Sequence, residues 1–184
     1  PPLSEDERAS AQVAEVLEWA DTTGTAVVTA ADEMTIAVGD GTLTVLMAGL
    51  PEADDVNNES LCLRYSLGDF AFLDTGDAEA DAEEALAARC GFGLRCTLFK
   101  AGHHGSSTSN SETLLSLARP EVAVVSCGLD NEYGHPHAEV LDRFAAYGAE
   151  VLRTDEQGSV TIAAEADGSW RWLGDEADQA APAA

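Results

Sequence analysis

Between Thr97 and Gly148 the chain alternates apolar runs of strand length with segments of helical period. That alternation limits the fold more than any other feature. Thr97–Lys100 and Val122–Ser126 read as strands, Glu112–Ala118 and Ala138–Tyr147 as helices, with Gly148 as a helix stop. Strands separated by helices imply parallel pairing, because a crossover is what lets successive strands run the same way. Upstream the pattern differs. Met34–Val38 and Thr42–Met47 flank a Gly39-Asp40-Gly41 turn, and Ser60–Ser66 and Phe70–Leu73 flank Leu67-Gly68-Asp69, so both pairs read as antiparallel hairpins. Thr25–Thr29 reads as one more strand, Glu79–Arg89 as a helix, and Glu150–Arg153, Ser159–Ala163 and Trp170–Leu173 as late strands. A first helix starts at a Ser4/Glu7 capping box and places Val13, Val16, Leu17 and Ala20 on one face. Hairpins followed by strand–helix alternation predict a layered α/β domain over residues 1–174, with a disordered acidic and alanine-rich tail at 175–184.

Charge sets the second limit. Asp and Glu total 34 against 9 Lys and Arg, a formal net charge of −25, and Lys100 is the only lysine. The acid is spread along the chain, which fits a halophilic protein built for molar salt, where the screening length falls to about 3 Å. Broad electrostatic attraction to nucleic acid is excluded at ordinary salt. A local phosphate site is not. A hydrophobic content of 45% excludes a disordered chain, and apolar runs such as Val122–Val125 are far too short for a transmembrane segment, so a soluble protein is expected. With Pro at position 1, the native start is expected upstream. The cysteines Cys62, Cys90, Cys96 and Cys127 form no CxxC pair, which argues against a structural zinc cluster; free thiols are expected, with Cys62 and Cys127 buried.

The polar motifs fall at the C-terminal ends of the apolar runs, where α/β folds place their sites. All 4 histidines lie in two such loops, as His103-His104 and as His135 and His137. Asp77, in Leu-Asp-Thr-Gly-Asp, either caps the next helix or is a carboxylate ligand able to bridge cations. Asp74 beside it is either buried or placed behind the ligands. Gly102-His103-His104-Gly105-Ser106-Ser107-Thr108-Ser109 combines imidazoles, glycines and hydroxyls before a helix, which suits a phosphate. A flexible loop with a Ser or Thr cap would explain its serines but not its histidines. Pro136 can open the following helix and would hold His135 at a rigid entry, with His137 behind it.

Together these stretches resemble the metallo-β-lactamase-fold domain of the ComEC competence family. The likeness runs through DVNNESLCLRY, GDFAFLDTGDAEADAEE, LFKAGHHGSSTSNS, RPEVAVVSCGLDNEYGHPH and GAEVLRTDEQGSVTI, over roughly residues 25–165. It implies an αββα sandwich and a metal-dependent hydrolase directed at phosphodiesters or nucleic acid, linked to DNA uptake. By position, Asp77 and His135 correspond to ligands of one or two divalent ions, Zn or Mn. His103 corresponds to a residue that is either a ligand or a proton donor, and His103 and His104 are the catalytic candidates. Ser106, Ser107 and Asn58, with Asn57 beside it, would face substrate, and Tyr133 would stand behind the ligands with Asp74 and His137. The family's HxHxDH motif is absent from this sequence. The resemblance therefore implies the second half of the sandwich, inactive alone, with an uncovered apolar sheet face. Its missing partner would be an N-terminal half or a membrane channel domain. The other reading is a non-catalytic domain for assembly or nucleic-acid docking.

Overall fold

The computed structural model describes residues 11–50 and 53–174; the expected Ser4/Glu7 box and the tail 175–184 lie outside the described residues. Helix α1 (Ala11–Thr23) forms where the period places it. Of its expected apolar face Ala20 is buried, whereas Val16 and Leu17 are exposed. The stretch Thr25–Thr29 is not a strand. Val27 and Val28 stand 65% and 66% exposed. Strand propensity reflects packing on a half-buried surface, and these residues have neither a paired edge nor a covering layer.

Seven strands form one sheet in chain order: β1 (Thr35–Val38), β2 (Gly41–Ala48), β3 (Leu61–Leu67), β4 (Phe70–Asp74), β5 (Leu98–Lys100), β6 (Val122–Val125) and β7 (Glu150–Arg153). β1 to β4 pair antiparallel through the two expected hairpins. β4 to β7 pair parallel, with Leu73, Phe99, Ala123 and Val151 in one row. The crossovers carry α2 (Ala80–Cys90), α3 (Glu112–Ala118) and α4 (Ala138–Ala146). Since the strand order never reverses, right-handed crossovers put all three helices on one face. The burial pattern agrees. Leu73, Phe99, Ala123 and Val125 are buried with Leu86, Leu115 and Phe144, and the Phe99 and Phe144 rings meet edge to face at 6.1 Å. This is a mixed α/β fold, as the alternation predicts.

The alternating positions Phe72, Leu98 and Val124 point to the opposite face and are only half-buried, while Ile36 and Val38 at the sheet edge are exposed. After the short helix α5 (Thr154–Gln157), β8 (Ile162–Ala164) and β9 (Trp170–Trp172) form a separate antiparallel hairpin. β8 begins later than the expected Ser159. The hairpin is tied to the sheet by Asp69 N–H donating to Ala166 O at 2.8 Å and Trp170 Nε1–H donating to Glu121 Oε2 at 3.3 Å. All four thiols are free. Cys62 is buried as expected, and burial pushes its thiol up to about 12. Cys127 is only partly buried: it lies beyond the end of β6 and packs against the margin of the core. Among the described residues no helix is long and apolar enough to cross a membrane.

Candidate functional site

Parallel strands end at one edge, so β4, β5 and β6 release their following loops side by side. Those loops are stitched together through the main chain. His103 N–H donates to Gly76 O at 2.9 Å, Ala80 N–H to Thr108 O at 3.0 Å and His137 N–H to Gly105 O at 3.0 Å. The middle loop makes a tight turn over Gly102–Gly105 in which His103 (φ 48°, ψ 45°) and His104 (φ 57°, ψ 21°) are both left-handed. That region costs a non-glycine residue roughly 1–2 kcal/mol, so the surroundings must hold it. The brace is Asn110. Its Oδ1 accepts from Gly102 N–H at 2.8 Å, and its Nδ2 donates to Gly102 O at 3.0 Å and Ser106 O at 3.3 Å. Behind it, the fully buried Glu83 accepts from the N–H groups of Asn110 and Ser111, each at 2.7 Å. Burial holds the Glu83 carboxyl above its ordinary range, opposed by those donors and by Arg143. Ser111 caps α3, its Oγ accepting from Leu114 N–H at 3.2 Å.

The turn brings the imidazoles together. His103 lies 6.4 Å from His104 and 5.8 Å from His135, ring centre to ring centre, and His135 lies 6.5 Å from His104 and 5.0 Å from His137. Their hydrogen bonds assign different chemistry to each. His104 Nδ1 is 2.8 Å from the Ser126 carbonyl, so in the neutral ring Nδ1 carries the proton and Nε2 keeps its lone pair. That Nε2 is 3.8 Å from Asp77 Oδ1. Asp77 does not cap α2, since Glu79 occupies the cap position; its main chain is held by Ser60 Oγ, which accepts Asp77 N–H at 3.0 Å. His103 Nδ1 is buried, makes no hydrogen bond and is 3.6 Å from Glu79 Oε1. His137 Nδ1 accepts Ser107 N–H at 2.9 Å, which leaves the proton on Nε2 and withholds both nitrogens from ligation. His135 is clamped by Asn131, whose Oδ1 accepts His135 N–H at 2.9 Å and whose Nδ2 donates to His135 O at 2.6 Å. Burial first, then the nearby His137, His103 and His104, hold His135 below the ordinary histidine value, against Asp77. The His135-Pro136 peptide is cis, and α4 begins at Ala138 with His137 at the cap, not at Pro136.

The remaining expected positions divide. Asp74 turns toward Gly76 N–H (2.8 Å) and Lys100 Nζ (3.4 Å), away from the histidines. Asn58 is buried, and its Oδ1 accepts Glu79 N–H at 2.9 Å, which anchors the start of α2 and leaves that oxygen no role toward substrate. Ser106 is buried against Thr108 Oγ1 at 3.0 Å. The N–H groups of Ser106, Ser107, Thr108 and Ser109 are all engaged within the loops, so they are not open to a phosphate. Ser107 Oγ is left without a partner among the described residues. Tyr133 stands 70% exposed and stacks on His135 at 5.7 Å. It does not stand behind the histidines; with His104, Ser126, Cys127, Gly128, Asn131 and His135 it walls a cleft of about 320 Å³.

Asp77, His104 and His135 suit a divalent ion in kind. In number they fall short: among the described residues no three His, Cys, Asp or Glu side chains are placed to hold one. The sequence reading missed Asn110, Glu83, Asn131 and Glu79. Asn131, four residues before His135, carried the one readable signal, since Asn favours loops that close on their own backbone.

No protein-family model matches the chain. It is similar to Competence protein ComA of Neisseria gonorrhoeae, 42% identical over 106 residues that make up 58% of this chain and 15% of that protein. ComE operon protein 3 of Bacillus subtilis is 34% identical over 116 residues, 63% of this chain and 15% of that protein. Recombination protein 2 of Haemophilus influenzae is 39% identical over 106 residues, 58% of this chain and 13% of that protein. The chain spans about 15% of the length of the curated relatives it matches. Over that segment its likeness points to a competence-associated family.

Proposed function

We propose that this chain supplies one edge of the active site of a metal-dependent phosphodiester hydrolase of the metallo-β-lactamase type, acting on nucleic acid during DNA uptake. The observation that carries the reading is the pairing of His104 with Asp77. A backbone carbonyl fixes the His104 tautomer so that an unprotonated Nε2 faces a carboxylate across 3.8 Å. In the neutral ring the Nε2 lone pair and the carboxylate face each other without a hydrogen bond, an arrangement that suits a shared cation. His135, whose pKa burial and the neighbouring imidazoles hold low, lies beside them. The relatives named for competence support the biological setting.

On this reading Asp77, His104 and His135, which are not placed as a closed set, would be donors to Zn or Mn once the remaining ligands are supplied from outside the described residues. Held there, such an ion would lower the pKa of a bound water and offset charge on the phosphate. His103, with its buried Nδ1 toward Glu79, is the group that passes a proton to the leaving oxygen. His137 does not ligate: it fixes Ser107, whose Oγ contacts the phosphate. The cleft beside Tyr133 takes the adjoining part of the substrate. The half-buried face carrying Phe72, Leu98 and Val124 is then the inner face of an αββα sandwich, covered by a second layer.

The test is hydrolysis of bis(p-nitrophenyl) phosphate and single-stranded DNA in molar salt with Mn²⁺, by residues 1–184 and by any longer product of the same gene. The chain alone is expected to be inactive. The longer protein is expected to turn over, with Asp77→Ala, His104→Ala or His135→Ala abolishing activity and His103→Ala lowering kcat by about 10²–10⁴-fold. Robust turnover by residues 1–184 would show the ligand set to be misassigned. A longer protein that binds metal fully and stays inactive would favour a docking role.

A further inference from the structure

Half of the described cations in this acidic chain sit against carboxylates. Arg89, Lys100, Arg143 and Arg153 each form an ion pair. Among the described residues Arg171 forms none, and neither do Arg64, Arg95 and Arg119, although the chain offers 34 carboxylates for 9 Lys and Arg. These three line one cleft of about 180 Å³ with Asp69, Thr97 and Glu121. The cleft lies where the chain enters β5 and β6, at the opposite end of the parallel strands from the histidines. Its carboxylates are oriented elsewhere or free: Glu121 accepts from Trp170 Nε1, and neither acid lies within ion-pair distance of an arginine.

The arginines are held by neutral groups. Arg64 Nη1 donates to Ser66 Oγ and Nη2 to the Arg95 carbonyl at 3.3 Å, while its Nε is buried with no partner. Arg119 Nε donates to the Ser116 carbonyl at 3.1 Å. Three arginines line one polar cleft, and none is ion-paired to the Asp69 and Glu121 carboxylates that share it, so planar N–H donors are brought to one place. That is the chemistry that takes a tetrahedral oxyanion with bidentate geometry.

We propose that this cleft is a second site, separate from the histidine edge, that binds a phosphate group through Arg64, Arg95 and Arg119. It does not depend on the metallo-hydrolase reading. The phosphate can belong to a nucleic-acid backbone or to a small phosphorylated molecule, since the recognising chemistry is the same.

The experiment is a titration of residues 1–184 with inorganic phosphate in KCl of constant ionic strength, followed by the arginine Nε–H signals in NMR and by melting temperature. Phosphate is expected to shift the Nε–H signals of the three arginines along one saturating curve and to raise the melting temperature. Arg95→Gln and Arg119→Lys are each expected to weaken binding at least tenfold, and Asp77→Ala to leave it unchanged. Competition by a dT oligonucleotide for the same signals would assign a nucleic-acid backbone; no competition would assign a free phosphate. Equal responses to phosphate and chloride, or shifts confined to His103–His137, would overturn the proposal.

Discussion

His104 and His103 are neighbours in sequence yet do different chemistry, because successive left-handed residues turn their side chains to different partners. One ring is locked to the Ser126 carbonyl and offers Nε2; the other buries Nδ1 beside Glu79. His135 gives the residue-scale prediction. Its value is held below the 6.5 of an ordinary histidine by burial and by neighbouring imidazoles. The folded state therefore binds fewer protons there than the unfolded chain, so the stability this group contributes is present above about pH 6.5 and is lost as pH falls. A ¹H–¹³C titration of the imidazole signals is expected to show a His135 midpoint below 6.5. A His135 midpoint at or above 6.5 would mean that the rings are not packed as described. The sequence could nominate these histidines, since all four sit in two loops, but not their tautomers. Those depend on Ser126 O and Ser107 N–H, backbone groups with no side-chain signal.

At the scale of elements, the site is a set of three loops whose positions depend on a few tight contacts. Gly105 has φ +84°, and a Cβ there would lie 2.6 Å from Pro136 Cβ. Gly105→Ala is thus expected to separate the middle loop from the His135 loop and to destabilise the fold by about 1–3 kcal/mol, read from denaturant melts. Glu83→Gln should cost a similar ~1–3 kcal/mol, because one of the N–H groups of Asn110 and Ser111 loses its acceptor in a buried place. An unchanged stability in either variant would show that the brace is not needed. The parallel elements were legible in sequence: the runs at Thr97, Val122 and Glu150 became β5, β6 and β7 because apolar periodicity also determines what the helices cover. Thr25–Thr29 failed because propensity cannot say whether a partner edge exists. Glu83 was hidden because a Glu in the middle of a helix ordinarily reads as solvated surface.

For the molecule as a whole, charge and topology act separately. The sheet order puts α2, α3 and α4 on one face and leaves Phe72, Leu98 and Val124 half-covered on the other, while the net charge of −25 opposes compaction. Melting temperature is expected to rise steeply from dilute buffer to molar KCl as self-repulsion is screened. A flat profile across that series would remove the halophilic reading. Composition made this expectation readable at once, whereas the arginine cleft was invisible in sequence, since Arg64, Arg95 and Arg119 are brought together only by the sheet and the turn after α3.

Mn²⁺ tests directly the proposal that Asp77, His104 and His135 face a common cation. Trace Mn²⁺ added to ¹⁵N-labelled residues 1–184 in molar KCl broadens signals according to their distance from the ion, while the salt suppresses loose association with surface carboxylates. The predicted result is selective broadening of Asp77, His104 and His135 before any other residue, lost in His104→Ala. Broadening spread over the acidic surface, with the three loops no more affected than the rest, would contradict it.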